Sequence, residues 1–241
     1  MNILKSIPGF GYIGFSFLQY AGYKKKIDSL RARGDREGER KAIYDAVQKW
    51  TAQIVEHFET DVRIINPENL PTEGPVVYVA NHQSYADILV FLHITKHQVG
   101  FIAKDSLKKI PVFSQWTAAI RSLFITRGNA RESLHTINEG AELLKQGFSL
   151  IIFPEGTRSH SSKMAPFKPG ALKLATKAKV PVVPVTINNS YKMFEEPGYV
   201  KKGVTIEFTI HEPIDTAGLD RKELANLGET VEDIIKKAVH E

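Results

Sequence analysis

Beyond Arg63 the chain alternates between short β-rich runs and helical patterns, and this alternation restricts its fold more than any other feature. The β-rich runs fall at 75–80 (Pro75-Val-Val-Tyr-Val-Ala80), 98–102, 121–125, 148–153, 180–187 and 203–210. Helical periodicities occupy 84–94, 111–119, 129–146, 169–178 and 220–240. Strands alternating with helices imply an α/β fold, a mixed and largely parallel sheet flanked by helices. In such sheets the functional residues gather in loops that leave the carboxyl ends of strands. Pro184, inside the apolar run Val180-Pro-Val-Val-Pro-Val185, implies an edge position or a bulge, because proline has no N–H for a ladder.

With 241 residues there is room for one large domain, or one domain with a small appendage. The 42% hydrophobic and 24% charged composition suits a globular chain with a full core. Cysteine is absent, which removes disulfides, thiolate metal sites and a cysteine acyl-enzyme. The His, Asp and Glu residues show no metal-ligand spacing, so no metal is expected.

The net charge of +5 is terminal. Residues 1–33 carry Lys5, Lys24, Lys25, Lys26, Arg31 and Arg33 against Asp28 alone, and the remainder of the chain balances. The stretch 3–23 adds Phe10, Tyr12, Phe15, Phe17, Tyr20 and Tyr23 among aliphatic residues. It contains Pro8 and four glycines, and is barely long enough to span a bilayer, which takes about 20 apolar residues. No small-residue cleavage site follows it. Aromatic rings beside lysines suit a membrane interface with anionic headgroups; packing on the protein's own core is the alternative. Gly9, Gly11 and Gly14 have GxGxxG spacing but lack the preceding strand of a dinucleotide site. The basic run is too short to track a nucleic acid backbone. Residues 35–58 form an amphipathic helix, with Ile43, Val47, Trp50, Ile54 and Phe58 on one stripe, facing core or lipid. Residues 1–60 therefore read as a two-helix hairpin for attachment to an anionic membrane surface through residues 1–58, and 61–241 as the α/β domain.

Four motifs fall at strand ends. Asn81-His82-Gln-Ser-Tyr-Ala-Asp87 follows the first run. Five residues of continuous helix rotate about 500°, so His82 and Asp87 meet only if His82 sits in the loop and Asp87 in the first helical turn. A carboxylate on one ring nitrogen leaves the other free to accept a proton. Equally, an Asp in that position serves as a helix cap. Phe153-Pro-Glu155-Gly156-Thr157-Arg158-Ser159 follows 148–153; its glycine allows close backbone approach and its arginine offers a planar fork for phosphate. Phe124-Ile-Thr-Arg127 ends a strand in arginine, and Val180–Val185 is the proline-punctuated strand.

In this order and spacing the motifs resemble the glycerolipid (PlsC-type) acyltransferase family over residues 75–190, within it the bacterial 1-acyl-sn-glycerol-3-phosphate acyltransferases. Phe167-Lys168-Pro-Gly170 is similar to that family's next segment, while Thr126 departs from its second block. The resemblance implies acyl transfer from a thioester, acyl-CoA or acyl carrier protein, to the sn-2 hydroxyl of lysophosphatidic acid, giving phosphatidic acid. It makes His82 the general base, oriented by Asp87. It assigns phosphate or acceptor binding to Arg127, Glu155, Gly156, Thr157 and Arg158; Lys104, in Ile102-Ala-Lys-Asp-Ser106 just after a β-rich run, offers a further cation or is a solvated surface lysine. Glu155 is expected to position an arginine or bind the glycerol portion. No cofactor beyond the acyl co-substrate is implied. Without a cysteine or a GxSxG elbow, transfer is direct. The implied location is the cytoplasmic face of the cell membrane, monotopic or peripheral, where the sequon Asn188-Asn-Ser190 would go unused. Another acceptor, a non-catalytic membrane-binding protein, or a thioesterase or lipase are the competing readings.

Overall fold

The computed structural model describes residues 3–126 and 128–240. Its centre is a seven-stranded mixed sheet. The strands are β1 (Asp61–Ile65), β2 (Val77–Ala80), β3 (Val99–Lys104), β4 (Leu123–Ile125), β5 (Ser149–Ile152), β6 (Val182–Asn188) and β7 (Thr205–Ile210). Their spatial order is β1-β7-β6-β2-β5-β3-β4, and only the β6–β7 pair is antiparallel. The α/β sheet expected from the alternation is thus present. β2, β5 and β6 are buried at every position, as strands covered on both faces must be.

The period of two sorts their side chains between two cores. Tyr78, Ala80, Ile151, Val183 and Val185 face one layer, packed by α3 (Arg36–His57), α4 (Ala86–Ile94) and α5 (Pro111–Ala119). Val77, Val79, Leu150, Ile152 and Val182 face the other, closed by α6 (Ala130–Lys145), α7 (Lys173–Ala178) and α9 (Arg221–Lys237). Side chains cap the helices where the sequence offers Asp or Asn. Asp35 accepts from Gly38 N, Asn129 from Arg131 N and Glu132 N, and Asp220 forms a capping box with Glu223.

Of the two expectations for Pro184 the edge position is corrected, since β6 lies between β7 and β2, and the bulge is met. Val182 exchanges backbone hydrogen bonds with Ile214, and the β7 ladder begins at Val185–Ile210. The chain leaves the ladder between those two points. The missing N–H of Pro184 falls in that gap, and only its carbonyl is used, accepting from His211 N at 3.0 Å. Among the strands and α-helices, two short elements escaped the sequence reading. β1 is an edge strand with alternating exposure, and α8 (Tyr191–Phe194) is a single turn.

The N-terminal helices are present, with the first stretch divided at Tyr20 into α1 (Ile3–Gln19) and α2 (Ala21–Ala32). The GxGxxG glycines lie inside α1, not in a strand-to-helix loop. Phe17 stacks on Trp50 with ring centroids 4.7 Å apart, Trp50 Nε1 donates to Ser16 Oγ at 2.7 Å, and a Cβ at Gly9 would overlap Val200. The stripe of α3 faces the core: Ile43 and Ile54 are buried. α2, α3 and the turn after α5 are joined through Glu39, which is 1% exposed. Its carboxylate accepts from Arg31 Nε at 2.7 Å and from Arg121 Nε and Nη2 at 2.7 and 2.8 Å. Burial pushes this carboxyl up, but the hydrogen bonds from Arg121 and Arg31 outweigh it and hold the pKa below its ordinary value. Among the described residues no helix is long and apolar enough to cross a membrane.

Glu39→Ala leaves two half-buried guanidinium groups without their carboxylate. We expect a loss of about 2–4 kcal/mol, below the full cost of breaking a buried pair because both arginines touch solvent. Urea denaturation measures it. A depressed pKa means the wild-type advantage is present at neutral pH and fades as pH falls through the lowered value.

Candidate active site

β2, β5, β3 and β4 are successive parallel neighbours, so the loops after them open on one side of the sheet. His82 leaves β2 in the loop and Asp87 lies in the first turn of α4, the arrangement that five-residue spacing requires. His82 Nδ1 and Asp87 Oδ2 are 2.7 Å apart. The same oxygen accepts from Gln83 N at 2.7 Å and Ser84 N at 2.9 Å, and Asp87 is fully buried. An oxygen that already accepts two backbone N–H groups is placed to accept a third from Nδ1, which in the neutral imidazole leaves the lone pair on Nε2. The imidazole stacks on Phe153, with centroids 4.0 Å apart and planes at 20°. Asp87 is therefore both the cap of the turn and the partner of the imidazole.

The loop after β5 grips His82 by its backbone. Glu155 Oε1 accepts from His82 N at 2.6 Å, and Ser159 N donates to His82 O at 2.8 Å. The other oxygen of Glu155 accepts from Ala165 N at 2.8 Å. Glu155 is 3% exposed, and burial pushes its carboxyl up to about 7 against the hydrogen bonds from Ala165 and His82. The expectation that Glu155 positions an arginine is corrected here: both its oxygens are taken by backbone N–H groups. The arginine holder is Glu195, just after α8. Arg158 Nη1 donates to Glu195 Oε1 at 2.7 Å, and the Arg158 guanidinium lies 3.5 Å over the Tyr85 ring. Gly156 has φ +67, and a Cβ there would lie 2.5 Å from Lys168 Nζ. Glycine thus serves the strained turn and lets the Lys168 ammonium cross it.

His82, Lys104, Gly156, Thr157, Arg158 and Lys168 all border one cavity of about 900 Å³, at the upper end of small-molecule sites. Away from these groups its walls are apolar, from Ile13 and Phe17 of α1, Trp50 of α3, Leu89 of α4 and Phe113 of α5. Arg127 lies outside the described residues. Sequence reading missed Tyr85, Glu195 and Lys168. Tyr85 falls within the unspecified positions of the first motif, and Glu195 sits in Glu195-Glu-Pro197, which carries no motif. Lys168 was inside a family-like segment and only lacked a role. Asn81, the first residue of the His82 motif, binds Ile187 through both amide atoms, at 2.7 and 2.9 Å, and so locks β2 to β6.

The acyltransferase family model matches residues 61–188. A 1-acyl-sn-glycerol-3-phosphate acyltransferase of Saccharomyces cerevisiae is 36% identical over 177 residues, which cover 72% of this chain and 58% of that protein. A probable 1-acyl-sn-glycerol-3-phosphate acyltransferase of Mycoplasma genitalium is 30% identical, over 99% of this chain and 91% of its own length. The chain spans little more than half the length of the first curated relatives it matches. The crystal structure of the 1-acyl-sn-glycerophosphate (LPA) acyltransferase PlsC from Thermotoga maritima superposes with a TM-score of 0.70. It is 27% identical and covers 98% of this chain and 97% of that one.

A raised carboxyl pKa means the folded protein keeps a proton on Glu155 that the unfolded chain releases between about 4.5 and 7. Wild-type stability should therefore fall over that interval, by about 3 kcal/mol from this group. Glu155→Gln, followed by chemical denaturation at several pH values, should flatten that part of the profile. An unchanged slope would mean Glu155 stays ionised throughout.

Proposed function

The chain belongs to the acyltransferase family, and from that premise we propose that it transfers a fatty acyl group from a thioester to the sn-2 hydroxyl of lysophosphatidic acid. The observation that carries this reading is the His82–Asp87 pair at the head of an apolar cavity with cations at its rim. His82 Nε2 takes the acceptor's hydroxyl proton as the oxygen attacks the thioester carbonyl. Asp87 keeps the ring oriented and stabilises the imidazolium, a contribution of about 10²–10⁴. The C–O bond forms, the C–S bond breaks, and the proton passes from His82 to the departing thiolate. The acceptor's phosphate is bound by Arg158, with Lys104, Thr157 and, from the family resemblance, Arg127. An acyl chain gains about 0.8 kcal/mol for each methylene it buries in the apolar part of the cavity. Acyl-CoA and acyl carrier protein both supply the thioester this scheme needs.

In the same reading the protein attaches to the cytoplasmic face of the membrane through α1 and α2, as a monotopic or peripheral protein. α1 turns one face, with Phe10, Ile13 and Phe17, to the cavity and exposes Ile7, Phe15 and Leu18 on the other, the last two at 60% each. Lys24, Lys25 and Lys26 follow directly, suited to anionic phosphates. A lysolipid would then reach the cavity from the leaflet.

The test is acyl transfer from palmitoyl-CoA to lysophosphatidic acid in detergent. Wild type should form phosphatidic acid, and folded His82→Ala should lose about 10²–10⁴ of kcat. Wild-type turnover by His82→Ala would rule out the base assignment. For attachment, Phe15→Glu with Leu18→Glu should release the protein from vesicles containing phosphatidylglycerol in a sedimentation assay. Retention equal to wild type would remove the membrane role of α1.

A further inference from the structure

The Arg158 side chain is long and carries about 2 kcal/mol of rotamer entropy, so a phosphate-binding arginine gains from being held in place beforehand. In this chain it is held on two sides by groups to which the family motifs give no role, one after α8 and one at an unspecified position of the first motif. The Glu195 carboxylate is 6% exposed. Its Oε1 accepts from Arg158 Nη1 at 2.7 Å and from the backbone N–H of Tyr85 at 3.2 Å. Tyr85 lies between His82 and Asp87, so one carboxylate oxygen ties the turn after β2 to the arginine of the loop after β5. The Tyr85 ring, 43% exposed, forms a plate under the guanidinium at 3.5 Å. Only one N–H of the fork is spent on this support, and Arg158 borders the cavity beside His82. The remaining donors are available on that side.

We propose that Glu195 and Tyr85 are positioning residues that hold Arg158 in the orientation that receives the acceptor's phosphate. This rests on the phosphate role given to Arg158 above. Neither residue touches a reacting atom. Their effect is therefore on acceptor affinity, with the chemistry at His82 left intact. What matters at position 195 is an oxygen that accepts both N–H groups, so Gln substitutes for Glu and Ala does not.

The experiment measures kcat and KM for lysophosphatidic acid, with palmitoyl-CoA saturating, in wild type, Glu195→Ala, Glu195→Gln, Tyr85→Ala, Arg158→Ala and the Glu195→Ala/Arg158→Ala double variant. Glu195→Ala should raise KM about tenfold, with kcat within about threefold of wild type, and Glu195→Gln should restore most of the loss. Tyr85→Ala removes an exposed ring, keeps the backbone hydrogen bond, and should raise KM in the same sense. It preserves the test if Glu195→Ala does not fold. The double variant should be no worse than Arg158→Ala alone, because Glu195 acts through Arg158. A KM unchanged or lowered in Glu195→Ala and Tyr85→Ala, while Arg158→Ala raises it, overturns this inference alone. Losses that add in the double variant also overturn it. A KM indifferent to Arg158→Ala removes the phosphate role itself, and a silent wild type removes the proposed function.

Discussion

β2 and β5 run parallel in adjacent positions, and their carboxyl ends therefore open side by side. The grip of the candidate site on the His82 backbone follows from that placement. The loop after β2 brings an imidazole whose backbone N–H and C=O are left over when the strand ends. The loop after β5 brings the groups that satisfy them, the Glu155 carboxylate and the Ser159 N–H. Glu155 extends the join to Ala165, so one buried carboxyl fixes three backbone segments. A buried acid in that position has a raised pKa because desolvation opposes its charge. His82 is thereby oriented from behind by its backbone and from the side by Asp87.

The N-terminal helices belong to the same construction. α1 supplies part of the cavity wall through Ile13 and Phe17, while its other face leaves Phe15 and Leu18 in solvent. Glu39, buried between Arg31 and Arg121, ties α2 and α3 to the turn that leads into β4. A segment with an apolar face on each side links whatever it rests on to the cavity.

Much of the fold was legible because its signals are local. Short β-rich runs marked β2, β5 and β6, the apolar stripe of 35–58 marked α3, and helical patterns at 129–146 and 220–240 marked α6 and α9. His82 and Asp87 were legible as a pair because a turn of fixed geometry separates them. β1 was missed because an edge strand buries one face of five residues, and α8 because four residues make no period. Pro184 implied an edge position or a bulge, and the second holds, since the two residues between Val182 and Val185 face the three between Ile210 and Ile214. The ladder opens opposite it through a departure of β7 that no feature near residue 184 announces. Glu155 was expected to position an arginine or bind the glycerol portion, yet its oxygens take backbone N–H groups and Arg158 is held by Glu195.

By itself the sequence determined the types of the elements, the ends of most of them, the chemical groups at those ends and the family they resemble. These depend on interactions within one or two turns of chain. Only the tertiary structure decided which groups meet. Glu155 reaches His82 across 73 residues, Asn81 reaches Ile187 across 106, and Glu195 reaches Tyr85 across 110. Such pairings are set by strand order and by the rule that a buried polar group must find a partner. The partner is whichever complementary group the sheet brings near, and sequence spacing carries no record of that distance.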